Sequence, residues 1–251
     1  DATSHCIRNY RGQLGLMGDV CLPIFLFLCA VAIIGTIAYF AHLREKERRE
    51  ALSALAASLG WRFNSEKDTS HDDRYGHFPV FKQGHSRYAF NTIMGEMTVE
   101  GLIMPVRMGD YHYQVTTSDG KKSNTTTYMF SYVILELPFL GAQDLFIREE
   151  GFFDKIAGFI GFDDIDFESA EFSDRFHVKS SDKKFAYDVV NPRMMEFLMD
   201  HKPPTFSLEQ RSCCLYKSGK RWTPDEFKAM LRWAEQFFEH WPDHLTATFE
   251  R

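Results

Sequence analysis

Twenty-two consecutive residues carry no charge: Val20 to Ala41, VCLPIFLFLCAVAIIGTIAYFA. Only Pro23, Gly35 and Thr36 fall outside the apolar set. As a helix the run spans about 33 Å, enough for a hydrocarbon core of about 30 Å. Soluble cores seldom offer more than about 18 uncharged residues in a row, so a transmembrane helix is expected. Leu22, Phe25, Leu26, Ile33, Ile34 and Ile37 are its anchoring side chains. A signal peptide would need a shorter run of about 7–15 apolar residues, basic residues ahead of it and a small-residue cleavage site behind it. Here the run is longer, and the basic cluster comes after it.

That cluster is Arg44, Lys46, Arg48 and Arg49, against Arg8 and Arg11 before the run. The excess predicts a single-pass protein of the inner (cytoplasmic) membrane with its N-terminus outside and its C-terminal domain in the cytoplasm. Met17-Gly18-Asp19 directly precedes the apolar run, and Met17 would serve as a start of translation, which would leave no basic residue on the outer side. The expected organisation is therefore a tail (1–19), a transmembrane helix (20–41), a helical stalk (42–60) and a cytoplasmic α+β domain (61–251), with a sub-boundary near 140–144.

The stalk is rich in strong helix formers. Its stripe of Leu52, Leu55, Ala56 and Leu59 is where it would dock on the folded part, and Gly60 suits the residue after a helix end. The stretch 64–85 reads as loop with a short extended piece at Pro79 to Lys82. Ser86 to Met94 alternates as a strand, Gly95-Glu96 reads as a turn, and Met97 to Met104 as the returning strand. A further strand carries Tyr111, Tyr113 and Val115, a polar loop spans 118–124, and Thr125 to Leu137 is a central strand, being apolar on both faces in its middle. Phe152, Phe153, Ile156, Phe159 and Ile160 share one side of a helix. A short strand at 176–179, a helix capped by Asn191-Pro192, a hairpin over 206–216 and a helix opened by the capping box Thr223-Pro224-Asp225-Glu226 complete the pattern. This order lacks βαβ alternation, so the fold class is α+β: a transmembrane helix continuing into a stalk, then an antiparallel sheet with packed helices.

The net charge of −6 is unevenly spread. Residues 144–174 hold ten acids against Arg148 and Lys155, a local balance of −8, and seven of the 24 Phe. A protein of this charge is no general nucleic-acid binder. The centre of the segment, Asp163, Asp164, Asp166 and Glu168, is the candidate metal or acid–base cluster. Read as a calcium loop from Asp164, it fails at position 6, where Ser169 replaces Gly, and at position 12, where Arg175 replaces Glu. A solvated acidic loop or a docking surface for a basic protein partner fits better. His71, His77 and His85 match no zinc spacing, and Cys213-Cys214 are adjacent, which rules out the C-x-x-C geometry. No nucleophile elbow, phosphate loop, dinucleotide fingerprint or H-E-x-x-H is present, so no catalytic residue and no cofactor is expected.

The segments REALSALAASLGWRF, RYAFNTIMGE, YVILELP, EGFFDKIAGFIGFDDIDFESAEFSDRF and KSSDKKFAYDVVNPRMMEFL resemble a bacterial family of single-pass membrane proteins whose cytoplasmic domain has no assigned function. The resemblance implies a membrane anchor and an α+β domain, and brings no reaction with it. The leading expectation is a membrane-anchored, non-enzymatic interaction or accessory module, with the lipid bilayer and a protein partner at segment 144–174 as its contacts. Two other readings stay open: a metal-assisted hydrolase using the acidic cluster, and an accessory subunit of a larger membrane complex bound through its transmembrane helix.

Overall fold

The computed structural model describes residues 2–120, 122–138, 143–150 and 164–247, with side chains from Phe25 to Leu245. Two compact units divide the chain, Asp1–Glu50 and Ala51–Arg251.

The first unit lies within helix α1 (Ala2–Leu59). Among the described residues, Phe25–Leu59 is the one helix long and apolar enough to cross a membrane. Phe25, Leu26, Ile33, Ile34 and Ile37 are each more than half exposed, as lipid-facing side chains must be. The Leu22 side chain lies outside the described set. The Thr36 hydroxyl donates to the Ala32 carbonyl at 2.8 Å, which satisfies it inside the helix. Arg44, Lys46, Arg48 and Arg49 follow on the same helix, and Lys46 meets Glu50 one turn on, at 3.9 Å.

The second unit begins with the last turns of α1. Leu52, Leu55 and Ala56 are buried in the core of the folded domain. Gly60 takes φ +71° and the Trp61 N–H donates to the Ala56 carbonyl at 2.9 Å, closing the helix end. Residues 51–60 thus pack as part of the α+β domain.

Its sheet has eight strands in the order β1-β2-β3-β4-β8-β7-β5-β6, every pairing antiparallel. The strands are β1 (Arg62–Asn64), β2 (His85–Val99), β3 (Leu102–Ser118), β4 (Ser123–Glu136), β5 (Leu145–Glu149), β6 (Phe176–Ser180), β7 (Thr205–Glu209) and β8 (Ser212–Tyr216). The helices are α2 (His71–Arg74), α3 (Ala170–Arg175), α4 (Lys183–Val189), α5 (Pro192–Asp200), α6 (Pro224–Glu239) and α7 (Asp243–Ala247), with a 3-10 turn at Pro79–Lys82. The α+β class is as expected. A boundary near 140–144 does not divide the sheet, because β8 joins β4 on one side and reaches β5 through β7 on the other.

Alternation sorts the strands into two cores. On one face Met104, Val106, Met108, Val133, Leu135, Cys213 and Leu215 pack with the α1 end, α5 and α6. On the other, Tyr111, Tyr113, Phe130, Tyr132, Ile134, Cys214 and Tyr216 pack beneath Tyr75, Phe78 and Phe81. Along β2 the faces exchange. Ala89 belongs to the second core and Ile93, an even number of residues on, to the first. The cause is a bulge: Phe90 pairs with Asp110 but Ile93 with Met108, one extra residue on β2, and Asn91 takes φ +50°.

Two local expectations are corrected. Gly95-Glu96 is no turn but lies inside β2, with Gly95 opposite Val106. The glycine is there because the Trp61 ring covers it: a Cβ would fall 2.2 Å from that ring. The true turn is Glu100-Gly101, both at positive φ between paired Val99 and Leu102. Pro79–Lys82 is 3-10, not extended. Strand β5 and helices α3 and α4 were not anticipated. The expected helix at 152–160 lies outside the described residues. The capping box is as read: the Glu226 N–H donates to the Thr223 hydroxyl and the Thr223 N–H to the Glu226 carboxylate.

Candidate functional site

The acidic segment enters the folded domain along its last strand. Residues 164–168 alternate in burial, Ile165 and Phe167 inward and Asp164, Asp166 and Glu168 outward. The Ile165 N–H donates to the Val178 carbonyl at 2.9 Å, so this stretch runs against the outer edge of β6. It is pinned beyond by Ser173, whose hydroxyl accepts from the Phe167 N–H at 2.9 Å, and by Ser169, which caps α3 by accepting from the Phe172 N–H at 3.3 Å.

The four candidate acids do not converge. Asp163 lies outside the described residues. Asp164 turns to β6, accepting from His177 Nδ1 at 3.0 Å with Lys179 at 3.8 Å. Asp166 and Glu168, further along the same exposed face, make no such contact with β6. At about 3.3 Å per residue, carboxylates four positions apart on an extended chain stand about 13 Å apart, too far to share one cation at about 2.5 Å. Among the described residues no group of three or more His, Cys, Asp or Glu is placed to hold a metal ion.

Asp166 and Glu168 instead form one rim of a groove of about 890 Å³. Its opposite wall is the end of α4 and one side of α5: Tyr187, Val190, Pro192, Met195, Glu196 and Met199. Asp182 and Asn191 cap these two helices, each accepting from backbone N–H groups of the first turn. Helix α5 buries Met194, Phe197 and Leu198 in the core. That leaves Met195 and Met199, one turn apart, half-buried along the groove with exposed Glu196 beside them. Phe167 forms part of the lining, edge-on to Phe172 and Tyr187, each at 5.3 Å. The Tyr187 hydroxyl donates to the Asp166 carbonyl at 3.1 Å, tying the two walls together.

Among the described residues no cation pairs with the acids of the groove. Two acids of the segment meet bases: Glu149 pairs with Arg175 at 3.4 Å, and Asp164 with His177 and Lys179. Among the described residues the carboxylates of Asp166, Glu168 and Glu196 have no such partner. Sequence reasoning found one wall through its acids and missed the other. The available signal was the row Met195-x-x-x-Met199, which lies off the buried face of α5.

Two other polar features are structural. Asp110, fully buried at the β2 bulge, accepts from Ser131 at 2.7 Å, Asn91 at 3.2 Å and Arg221 at 3.2 Å. Ser131 in turn accepts from the Trp222 N–H at 2.9 Å, which fixes the entry to α6. On the other face His71 is fully buried, ringed by Phe81, Tyr132, Tyr75 and Tyr111 at 4.6–5.5 Å. Among the described residues neither of its ring nitrogens has a hydrogen-bond partner. Burial holds it neutral, pulling its pKa down to about 3. Burial likewise pushes the Cys213 and Cys214 thiols well up, which makes them poor nucleophiles.

Fold and groove define a class: an antiparallel α+β domain, preceded by a helix able to cross a membrane, with an acid-rimmed apolar groove on its surface. No family model and no curated protein matches the chain. Among solved structures it is similar to the mycobacterial trehalose monomycolate transport factor A, TtfA, at 12% identity and a TM-score of 0.48, over 78% of this chain and 96% of that one. A likeness at that level carries no argument about function.

Proposed function

We propose that this protein is a membrane-anchored, non-enzymatic module that holds a protein partner against the inner membrane. Helix α1 is the anchor, the N-terminus lies outside, and the α+β domain works in the cytoplasm. In this reading it belongs with the bacterial single-pass family that its sequence resembles. The observation that carries the reading is the groove between residues 166–169 and the α4–α5 wall: preformed, apolar in its lining, and edged by three carboxylates with no cationic partner among the described residues. Its volume falls in the usual range for binding sites, about 300–1,000 Å³. Supporting it are the exposed apolar side chains of α1 and the basic cluster that follows them.

The test is site-specific photo-crosslinking in native membranes. A benzophenone amino acid at Tyr187, in the groove, is compared with one at Ile103, exposed on the β2–β3 hairpin. The expected result is a discrete crosslinked band from position 187 that position 103 does not give. No band at 187, or the same bands at both positions, refutes docking at the groove.

A further inference from the structure

We infer that the occupant of the groove is an amphipathic helix of another protein, with an apolar stripe flanked on both sides by Lys or Arg. The inference rests on the docking reading above and specifies its partner. Four observations lead to it. The lining is apolar and adaptable, with Phe167 on one wall and the unbranched Met195 and Met199 on the other. The carboxylates stand on both walls, Asp166 and Glu168 on the loop and Glu196 on α5, so an occupant lying between them meets negative charge on each flank. Unlike Asp164, these three are not neutralised within the described domain. Lastly, the adjoining edge of β6 is already occupied, since the Ile165 N–H donates to the Val178 carbonyl. A partner in the groove therefore meets side chains rather than the β6 backbone, as a helix in a groove does. Charged groups at a rim steer encounter and set orientation, while the apolar floor holds the stripe.

The experiment uses the full-length protein in nanodiscs of zwitterionic lipid, with empty nanodiscs as the blank. The probes are three synthetic helical peptides carrying one photo-crosslinker: Leu at i, i+3, i+4 and i+7 with Lys elsewhere, the same peptide with Glu for Lys, and the Leu/Lys composition in scrambled order. The first is expected to crosslink to residues 166–169 and 187–199 and the other two not to. The exposed double variant Glu168→Lys/Glu196→Lys is expected to lose at least tenfold in affinity for the Leu/Lys peptide and to gain the Leu/Glu peptide. Met199→Ser, which shortens an apolar contact without touching charge, is expected to weaken the Leu/Lys peptide several-fold. Crosslinks mapping elsewhere, equal binding of the scrambled peptide, or affinities indifferent to the charge reversal would each overturn the inference. So would capture of residues 151–163 of the same chain, or of a second copy, at position 187. A band from position 187 in native membranes with no preference for the Leu/Lys peptide leaves the docking reading standing and removes the basic helix. Failure of both removes both.

Discussion

His71 makes the folded domain acid-labile by an amount that follows from its surroundings. The side chain is fully buried among four aromatic rings with both nitrogens unpartnered. Burial is the main cause that lowers its pKa to about 3, opposed by Asp68 and Asp72 and reinforced by Arg107 and Arg74. In the unfolded chain the imidazole takes its proton near 6.5. Between those values the unfolded state binds one proton more than the folded state, so stability is full above 6.5 and falls as pH drops. The loss from this one residue is about 2 kcal/mol at pH 5 and about 3 kcal/mol at pH 4, relative to neutral pH. His71→Phe keeps a flat ring in the cage and removes the titration. The assay is equilibrium urea unfolding of the full-length protein in detergent at several pH values, read by tryptophan fluorescence, wild type against variant. Other titrating groups act equally on both proteins and cancel in the difference. The wild type should lose about 2 kcal/mol more than the variant between pH 7.5 and pH 5. At pH 7.5 the variant should be as stable or more so, since two unpaired buried nitrogens are gone. Parallel stability curves would refute the reasoning, because His71 would then be protonated, or hydrated, in the folded state.

Glu209 acts with the opposite sign. Burial raises its carboxyl to about 7, against a hydrogen bond from Ser207. The fold favours the protonated form, so stability should decline as pH rises from 4.5 through 7, by about 1–2 kcal/mol once its partial exposure is discounted, and Glu209→Gln should abolish that slope in the same unfolding assay. Arg221→Met leaves Asp110 buried without its cation, and should cost about 3–5 kcal/mol by chemical denaturation. Gly95→Ala drives a methyl group into the Trp61 ring and should cost about 1–3 kcal/mol, visible as a lowered Tm and a changed tryptophan emission.

What could be read in advance divides along physical lines. Helices α5 and α6 announce themselves because their start signals are local: Asn191 and Thr223 satisfy N–H groups two or three residues on, followed by an apolar period of 3.6. The short helices α3 and α4 also carry side-chain caps, Ser169 and Asp182, but with only 6 and 7 residues they show too little periodicity to stand out. Gly95 misled because glycine serves two ends. At Gly101 it supplies positive φ for a turn, and at Gly95 it makes room for the ring of Trp61, just ahead of β1. The β7–β8 hairpin was legible from its two apolar runs, but the tightness of its turn was not, because Gln210 and Arg211, poor turn formers, are held at positive φ by the pairing of Glu209 with Ser212. At the groove, acidic composition located one wall. The other is created only when α4 and α5 fold back against residues 166–169, a contact between segments about 20–30 positions apart that no periodicity encodes.

The outer flank of β6 has a consequence in another setting. Molecules tethered to a membrane diffuse in two dimensions, where collisions between like copies are frequent and similarly oriented. A bare strand flank in that setting is a template on which chains polymerise. Residues 164–168 occupy the β6 flank through Ile165, and the opposite end of the sheet finishes in β1, only three residues long, with Asp68 bridging to Ala89 beside it. Both ends of the eight-stranded sheet are thus blunted. The same stretch of chain that carries the acids covers part of the β6 flank, so loosening it is expected to bare strand edge as well as alter the groove.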